Sequence, residues 1–254
     1  MTETYYVRLS ADAGVRGTVL SAENAGARDA GSAEAEGIVV PVVVSDEPWK
    51  GDLAVTGPEA VTERRLQDAA RRKLGLPLII AETERLFLRE FTEADLPALR
   101  GFEISETELK LLGADAGQFC DAEFLKSYIN NQYPLWGFGI WGVFLRKNGR
   151  LIGMAGFSMP EEEEAPENGQ RREPDRAEAP GLGYYIAPEY RRQGLAEEAC
   201  TVCLRYAEEE LGFPEVTIRV RQDNAASLAL AGKLAERAGS ALNLSLLYFT
   251  GEKL

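Results

Sequence analysis

The stretch that decides the fold of this chain runs from Leu182 to Ala196 and reads Leu-Gly-Tyr-Tyr-Ile-Ala-Pro-Glu-Tyr-Arg-Arg-Gln-Gly-Leu-Ala. Its first five residues predict a strand, and the residues after Gly194 begin a helical pattern. A basic, glycine-containing turn that opens directly into a helix is typical of a pyrophosphate site, because the first helical amides lack acceptors and the positive end of the helix dipole faces the anion. Gly194 lets the backbone approach a phosphate closely, and the two arginines add positive charge. We therefore predict a phosphate-binding turn over residues 191–196.

The spacing Arg191-x-x-Gly194-x-Ala196 resembles the acetyl-CoA signature (Gln/Arg)-x-x-Gly-x-(Gly/Ala) of the GNAT acyltransferases. The alternative for this pattern alone is a turn with stray arginines before a surface helix. The preceding Gly-Tyr and Pro-Glu-Tyr resemble the branch that includes the ribosomal-protein alanine N-acetyltransferases, and so does Thr-Glu-Arg-Leu-Phe-Leu-Arg-Glu-Phe-Thr-Glu-Ala-Asp at residues 83–95. For residues 81–254 the resemblance implies an α/β (α+β) fold, with a mixed, mostly antiparallel sheet flanked by helices.

The resemblance also implies which residues hold the coenzyme. The turn amides would bind the pyrophosphate of acetyl-CoA, and the strands 182–186 and 216–220 would lie on either side of the pantetheine. A backbone N–H between Tyr184 and Ile186 would face the thioester oxygen. The residues assigned to acetyl-CoA are Tyr185, Ile186, Arg191, Arg192, Gln193, Gly194, Leu195, Ala196, Asn224 and Ser227.

Asn224 and Ser227 match the family's Asn-x-x-Ser, in which the asparagine commonly bonds the pantetheine or the neighbouring backbone. The alternative is that Asp223 or Asn224 only caps the helix that follows. The two roles are compatible, because one residue can position the strand end and the helix start together.

Two positions depart from the family pattern, and both concern proton transfer. The attacking amine must lose a proton, and the leaving thiolate must gain one. Many relatives carry a glutamate where this chain has Gly181, and others carry a tyrosine where it has Ala231. The remaining candidates for catalytic or substrate-side groups are Tyr184, Glu90 and Tyr248, together with Tyr185.

A missing base affects different amines unequally. A lysine side chain has a pKa of ~10.4 and an α-amine one of ~7.8, so more of the α-amine is neutral at pH 7. If the protein is an N-acetyltransferase, this difference favours a small amine of low pKa or a peptide N-terminus as its acceptor. The alternative is a non-catalytic acyl-CoA-binding or sensing protein, which the two missing proton-transfer groups favour.

Composition excludes several other functions. A net charge of −13 argues against nucleic acid as a partner, and the absence of histidine removes Ser-His-Asp and Cys-His catalysis. The C-x-x-C pair Cys200 and Cys203 lacks a second pair, so we predict core packing and no metal site. Neither a signal peptide nor a membrane span is visible. We expect a bacterial-like cytoplasmic protein, and the sequence leaves open whether it forms a homodimer.

Residues 1–80 differ in pattern from the rest and predict a small α/β lobe of unknown role. Strands are expected at Tyr5–Leu9, Ile38–Val44 and Leu53–Val55, and a helix from Gly57 to Gly75. Pro41 should confine the second strand to a sheet edge or to a strand start.

In the second domain, residues 81–254, Thr92 and Asp95 predict a capping box, and a helix is expected over Ala122–Asn130 before Pro134. Asn148-Gly149 between apolar runs predicts a hairpin. The highly charged residues 159–180 predict a mobile acidic loop.

Overall fold

The computed structural model describes residues 2–9, 17–21, 38–44, 53–55, 62–102, 104, 116–159, 179–237 and 242–249. The chain divides into two compact units, Met1–Leu78 and Ile79–Leu254. Most of the expected acidic loop, residues 160–178, lies outside the described residues, so its mobility stays a prediction.

In its described residues the first unit has a four-stranded sheet and one helix. Its elements are β1 (Thr2–Leu9), β2 (Gly17–Ser21), β3 (Ile38–Val44), β4 (Leu53–Val55) and α1 (Glu63–Lys73). The strand order is β2-β1-β3-β4, with β1 antiparallel to both neighbours and β4 parallel to β3.

Two predictions for this unit are wrong in detail. The strand with Pro41 lies between two others, and this is tolerated because β4 pairs only with Val42–Val44, which leaves Pro41 with a neighbour in β1 alone. Helix α1 starts later than Gly57, because the Thr62 side chain accepts a hydrogen bond from the Arg65 amide at 3.2 Å and so caps the helix.

The second unit is a seven-stranded sheet flanked by helices. Its elements are β5 (Ile79–Glu82), β6 (Leu86–Arg89), α2 (Leu96–Arg100), α3 (Ala122–Trp136), β7 (Ile140–Leu145), β8 (Leu151–Ser158), β9 (Gly181–Ile186), α4 (Leu195–Glu209), β10 (Glu215–Arg221), α5 (Ala225–Arg237) and β11 (Asn243–Phe249). The strand order is β11-β10-β9-β8-β7-β6-β5. Pairing is antiparallel from β5 to β9 and parallel from β9 to β11. The predicted mostly antiparallel fold is confirmed.

Local signals in this unit are confirmed as well. The capping box joins Thr92 and Asp95. The Asp95 carboxylate also accepts hydrogen bonds from Arg89 Nη2 at 2.7 Å and Arg89 Nη1 at 2.8 Å. Gly149 adopts a φ of 68° in the turn between β7 and β8, a left-handed conformation that favours glycine.

Helix α3 extends beyond its predicted end and includes Pro134 in its last turn. Proline there removes one helical hydrogen bond. Tertiary contacts hold the turn, because the buried Tyr133 hydroxyl donates to the Ile140 carbonyl at 2.6 Å and accepts from the Phe91 amide at 3.2 Å. The helix ends at Gly137, which has a φ of 72°.

Apolar side chains cover both faces of the sheet. On one face, Phe102 contacts the Tyr185 ring. On the other, the Tyr206 ring of α4 packs edge-on against Trp141. Cys200 and Cys203 of α4 are fully buried free thiols, as core packing requires, and burial raises the pKa of each. No helix among the described residues is long and apolar enough to cross a membrane.

Candidate functional site

Strands β9 and β10 begin side by side and then separate. Gly181 and Thr217 are the residues paired between them, and the Thr217 amide donates to the Pro180 carbonyl at 2.9 Å. Beyond this point β9 stays paired with β8 as far as Ile186, and β10 stays paired with β11. The two strands therefore form a wedge whose inner edges are open toward their carboxyl ends.

A cleft of about 440 Å³ lies at this wedge. One wall is formed by β9, the turn after it and the first turn of α4, and the other wall by β10 and α5. The lining residues are Leu182, Gly183, Tyr184, Tyr185, Ile186, Tyr190, Arg191, Arg192, Gly194, Leu195, Ala196, Glu197, Ile218, Arg219, Val220, Arg221, Asn224, Ala226, Ser227, Ala229, Leu230 and Lys233.

The turn into α4 has the backbone of an anion site. Arg192 and Gly194 have φ values of 57° and 76°, both left-handed, and such conformations gather successive amides around a concavity. The first helical hydrogen bond runs from the Glu198 amide to the Gly194 carbonyl at 3.0 Å. The amides of residues 195–197 therefore have no acceptor within the helix and can donate to an anion.

The Arg191 side chain helps to build this turn. Its Nε donates to the Ile186 carbonyl at 2.7 Å, and its guanidinium lies 5.4 Å from the centre of the Tyr185 ring. Arg191 therefore ties the turn to the end of β9 in addition to supplying positive charge.

A second tie was missed by the sequence analysis and reaches the turn from the other end of the sheet. The Arg85 guanidinium donates from Nη1 to the Gln193 carbonyl at 2.8 Å and from Nε to Glu198 Oε2 at 2.6 Å. Glu198 also accepts from the Thr83 hydroxyl. Burial raises the pKa of Glu198, but hydrogen bonds from Thr83 and Arg85 outweigh it and hold the pKa below its usual range. The sequence signal that could have predicted this tie is Glu198, an acidic residue two positions after Ala196.

Tyr184 bridges the two walls of the cleft. Its hydroxyl donates to Ser227 Oγ of α5 at 2.9 Å. Burial raises the pKa of Tyr184 to about 12, although the bond to Ser227 lowers it in part. The phenol is therefore protonated throughout the neutral range and can donate a hydrogen bond inside the cleft.

Asn224 caps α5 and also lines the cleft, and its binding of a coenzyme stays a prediction. Its Oδ1 accepts from the Ser227 amide at 3.0 Å. Ala231, where the resemblance leads one to expect a tyrosine, is buried in the same helix and has no group that could move a proton.

The cleft is positive although the whole chain is acidic. Among the described residues, its lining has five cations, which are Arg191, Arg192, Arg219, Arg221 and Lys233, and one carboxylate, Glu197. Arg221 is paired with Asp223 beside the lining. In a chain of net charge −13, this local excess of positive charge is the kind that favours an anionic ligand.

The structure brings together most, but not all, of the predicted site residues. Gln193 contributes its carbonyl to the Arg85 contact, and its side chain is outside the lining. Glu90 is 2% exposed and does not line the cleft. Tyr248 is 54% exposed on the edge strand β11 and does not line it either.

The family model "Acetyltransferase (GNAT) domain" matches residues 85–235. The "Uncharacterized N-acetyltransferase YoaA" of Bacillus subtilis (strain 168) is 29% identical over 158 residues, which are 61% of this chain and 81% of that protein.

Solved structures with a similar fold include the acetyltransferase from Agrobacterium tumefaciens str. C58, with 26% identity, a TM-score of 0.43 and coverage of 61% of this chain and 81% of that one. Another is the ribosomal-protein-S5-alanine acetyltransferase from Vibrio fischeri, with 16% identity, a TM-score of 0.45 and coverage of 61% and 80%. Because the family model covers more than half of the chain, this protein belongs to the GNAT acetyltransferase family.

Proposed function

We propose that this protein is an N-acetyltransferase that uses acetyl-CoA and acts on a primary amine, with a peptide N-terminus or another amine of low pKa as the preferred acceptor. The observation that carries the proposal is the joining of the open β9–β10 wedge and the amide-rich turn in one positive cleft.

The cleft suits the shape and charge of the coenzyme. The amides of residues 195–197 and the side chain of Arg192 would hold the pyrophosphate. The open backbone edges of β9 and β10 would bond the pantetheine amides, which need such partners because they are buried between strands. Bound acetyl-CoA supplies an activated thioester to this site.

Tyr184 would donate a hydrogen bond to the charge that develops at the thioester once its hydroxyl proton turns away from Ser227 Oγ, and the Ser227 hydroxyl can then donate to the phenol oxygen. Full proton transfer from this phenol is disfavoured, because its pKa is about 12 and a thiol has one of ~8.5, a difference that costs about 5 kcal/mol. Stabilisation of the leaving thiolate through a hydrogen bond needs no such transfer. We therefore assign Tyr184 to charge stabilisation.

Among the residues that the structure describes, the cleft lining offers no carboxylate that is suited to take a proton from the amine. Glu197 is the carboxylate of the lining, and its pKa is lowered by a hydrogen bond from Lys233 and by the charges of Lys233 and Arg237. The acceptor should therefore arrive largely neutral. An α-amine meets this condition more easily than lysine by ~2.6 pKa units, or about 3.5 kcal/mol.

The test is thiol release from acetyl-CoA with a panel of peptides that carry a free α-amine, a free lysine or neither. We expect the α-amine peptides to be preferred near pH 7, with rates that rise toward the pKa of the amine. Lysine preference with a flat profile from pH 6.5 to 9 would contradict the proposed acceptor.

The second candidate is a non-catalytic acyl-CoA-binding or sensing protein, and the lack of a suitable base among the described residues of the lining favours it. Coenzyme binding in calorimetry, without thiol release for any amine of the panel, would identify this function.

We also infer a cytoplasmic location. Cys120, Cys200 and Cys203 are free thiols, and an odd set of unpaired cysteines suits a reducing compartment. Measurement of the free thiols in protein purified without reductant would test this inference.

A further inference from the structure

Glu197 occupies an unusual place for a carboxylate in a cleft that would bind phosphate. It lies in the first turn of α4 and lines the cleft, beside the amides that would bind the anion. An acid in the first turn stabilises a helix through the dipole. A phosphate bound at the same helix end would be repelled by this carboxylate unless nearby cations compensate its charge.

Two cations of α5 neutralise Glu197. Lys233 Nζ lies 2.9 Å from Glu197 Oε2, and the Arg237 guanidinium pairs with Oε1. Lys233 lines the cleft, whereas Arg237 lies outside its lining. The Lys233–Glu197 pair therefore links the two walls of the cleft.

We propose that Lys233 is a phosphate ligand of the coenzyme. In the free protein Glu197 holds the Lys233 ammonium at the cleft, and a phosphate of the coenzyme replaces the carboxylate on binding. This inference rests on the proposed function. The lysine ammonium is a compact charge on a flexible stem with three donors, so it can turn from one anion to another. Arg237 remains on Glu197 after the exchange, and the carboxylate is not left without a partner.

An ordinary structural role for the pair explains less. The Lys233 side chain is 57% exposed, and pairs with such exposure contribute little to stability. A structural contact would also affect every ligand of the cleft alike, whereas an exchange of anions affects only ligands that carry phosphate.

The experiment measures the affinities of the full-length protein for CoA, 3′-dephospho-CoA and pantetheine by calorimetry. The variants are Lys233→Met, Glu197→Gln and, as the matched control, Arg237→Met, which removes the other cation of the same carboxylate. Thermal unfolding of each variant verifies the fold.

We expect Lys233→Met to weaken CoA binding by roughly tenfold, as for loss of one charge-assisted contact. Glu197→Gln should tighten CoA binding several-fold, because it releases Lys233 and removes a negative charge. Arg237→Met should change CoA affinity less than twofold, and pantetheine affinity should be the same in all four proteins. If the Lys233→Met effect persists with 3′-dephospho-CoA, Lys233 binds the pyrophosphate. If the effect disappears with that ligand, Lys233 binds the 3′-phosphate.

Equal CoA affinity in wild type and Lys233→Met would overturn the inference and leave the proposed function intact. An equal loss for CoA and pantetheine would overturn it also, because it would show a general effect on the cleft. Failure of the wild type to bind CoA at all would reject the proposed function together with the inference.

Discussion

The contact of Arg85 with the turn proposed to bind phosphate provides the sharpest test of the site. The guanidinium bonds the Gln193 carbonyl inside the turn and Glu198 in the first turn of α4. Replacement by methionine keeps much of the side-chain volume and removes these bonds. We expect the turn to lose its preorganisation and the affinity for CoA to fall.

The size of the effect follows from the exposure of the contact. Hydrogen bonds to charged groups contribute about 1.5–3 kcal/mol, and exposed ion pairs about 0–1 kcal/mol. The Arg85 side chain is 47% exposed and that of Glu198 is 18% exposed, so the contact lies between these limits. We expect a loss of about 1–2 kcal/mol, or roughly 5- to 30-fold in CoA affinity.

The assay is calorimetry with CoA and with pantetheine, which lacks the pyrophosphate. Arg85→Met should weaken CoA and leave pantetheine unchanged. The matched control is Arg150→Met, because Arg150 lies near the residues that precede the turn, 3.9 Å from Glu189, without bonding Gln193. The reasoning is refuted if CoA affinity stays within twofold of wild type, or if Arg85→Met and Arg150→Met behave alike.

Four further changes test the site and the two units. Gly194→Ala and the control Gly149→Ala should each lower the free energy of unfolding by about 1–2 kcal/mol, because both glycines have left-handed φ values. Only Gly194→Ala should also weaken CoA binding in calorimetry. Tyr184→Phe should lower kcat at least tenfold with unchanged CoA affinity, and an unchanged kcat would remove Tyr184 from the mechanism. Burial raises the pKa of Tyr184 from about 10 to about 12. The contribution of this tyrosine to the stability of the folded state is therefore complete below pH 10 and is lost as the pH rises to 12. Over this range the melting temperature of wild type should fall further than that of Tyr184→Phe. A truncated chain of residues 79–254 should still bind CoA, and loss of binding with an intact melting transition would show that residues 1–78 contribute to the site.

Several features could be predicted from the sequence because short-range interactions determine them. The turn at Gly194 follows from a strand, a basic segment and a helix start that are adjacent in the chain. The capping box of Thr92 and the hairpin turn at Gly149 need only residues that are a few positions apart. In such segments the backbone conformation and the nearest side chains carry most of the preference, so the residue types are sufficient.

Other features depend on contacts between distant parts of the chain. Helix α3 passes its expected end because Tyr133 is held by residues of other elements, and the strand with Pro41 has an interior place because its neighbour is short. Glu90 was a candidate catalytic group, but the fold buries it outside the cleft.

The working parts of the site depend most strongly on the tertiary structure. Arg85 and Glu198 are 113 residues apart in sequence, and Tyr184 and Ser227 are 43 apart. The sequence by itself determined the glycine turn that opens into α4 and the type of fold, since both follow from local patterns. Only the folded sheet decided where β9 and β10 separate and which side chains meet across the cleft, because those contacts depend on the packing of strands and helices and have no local pattern of their own.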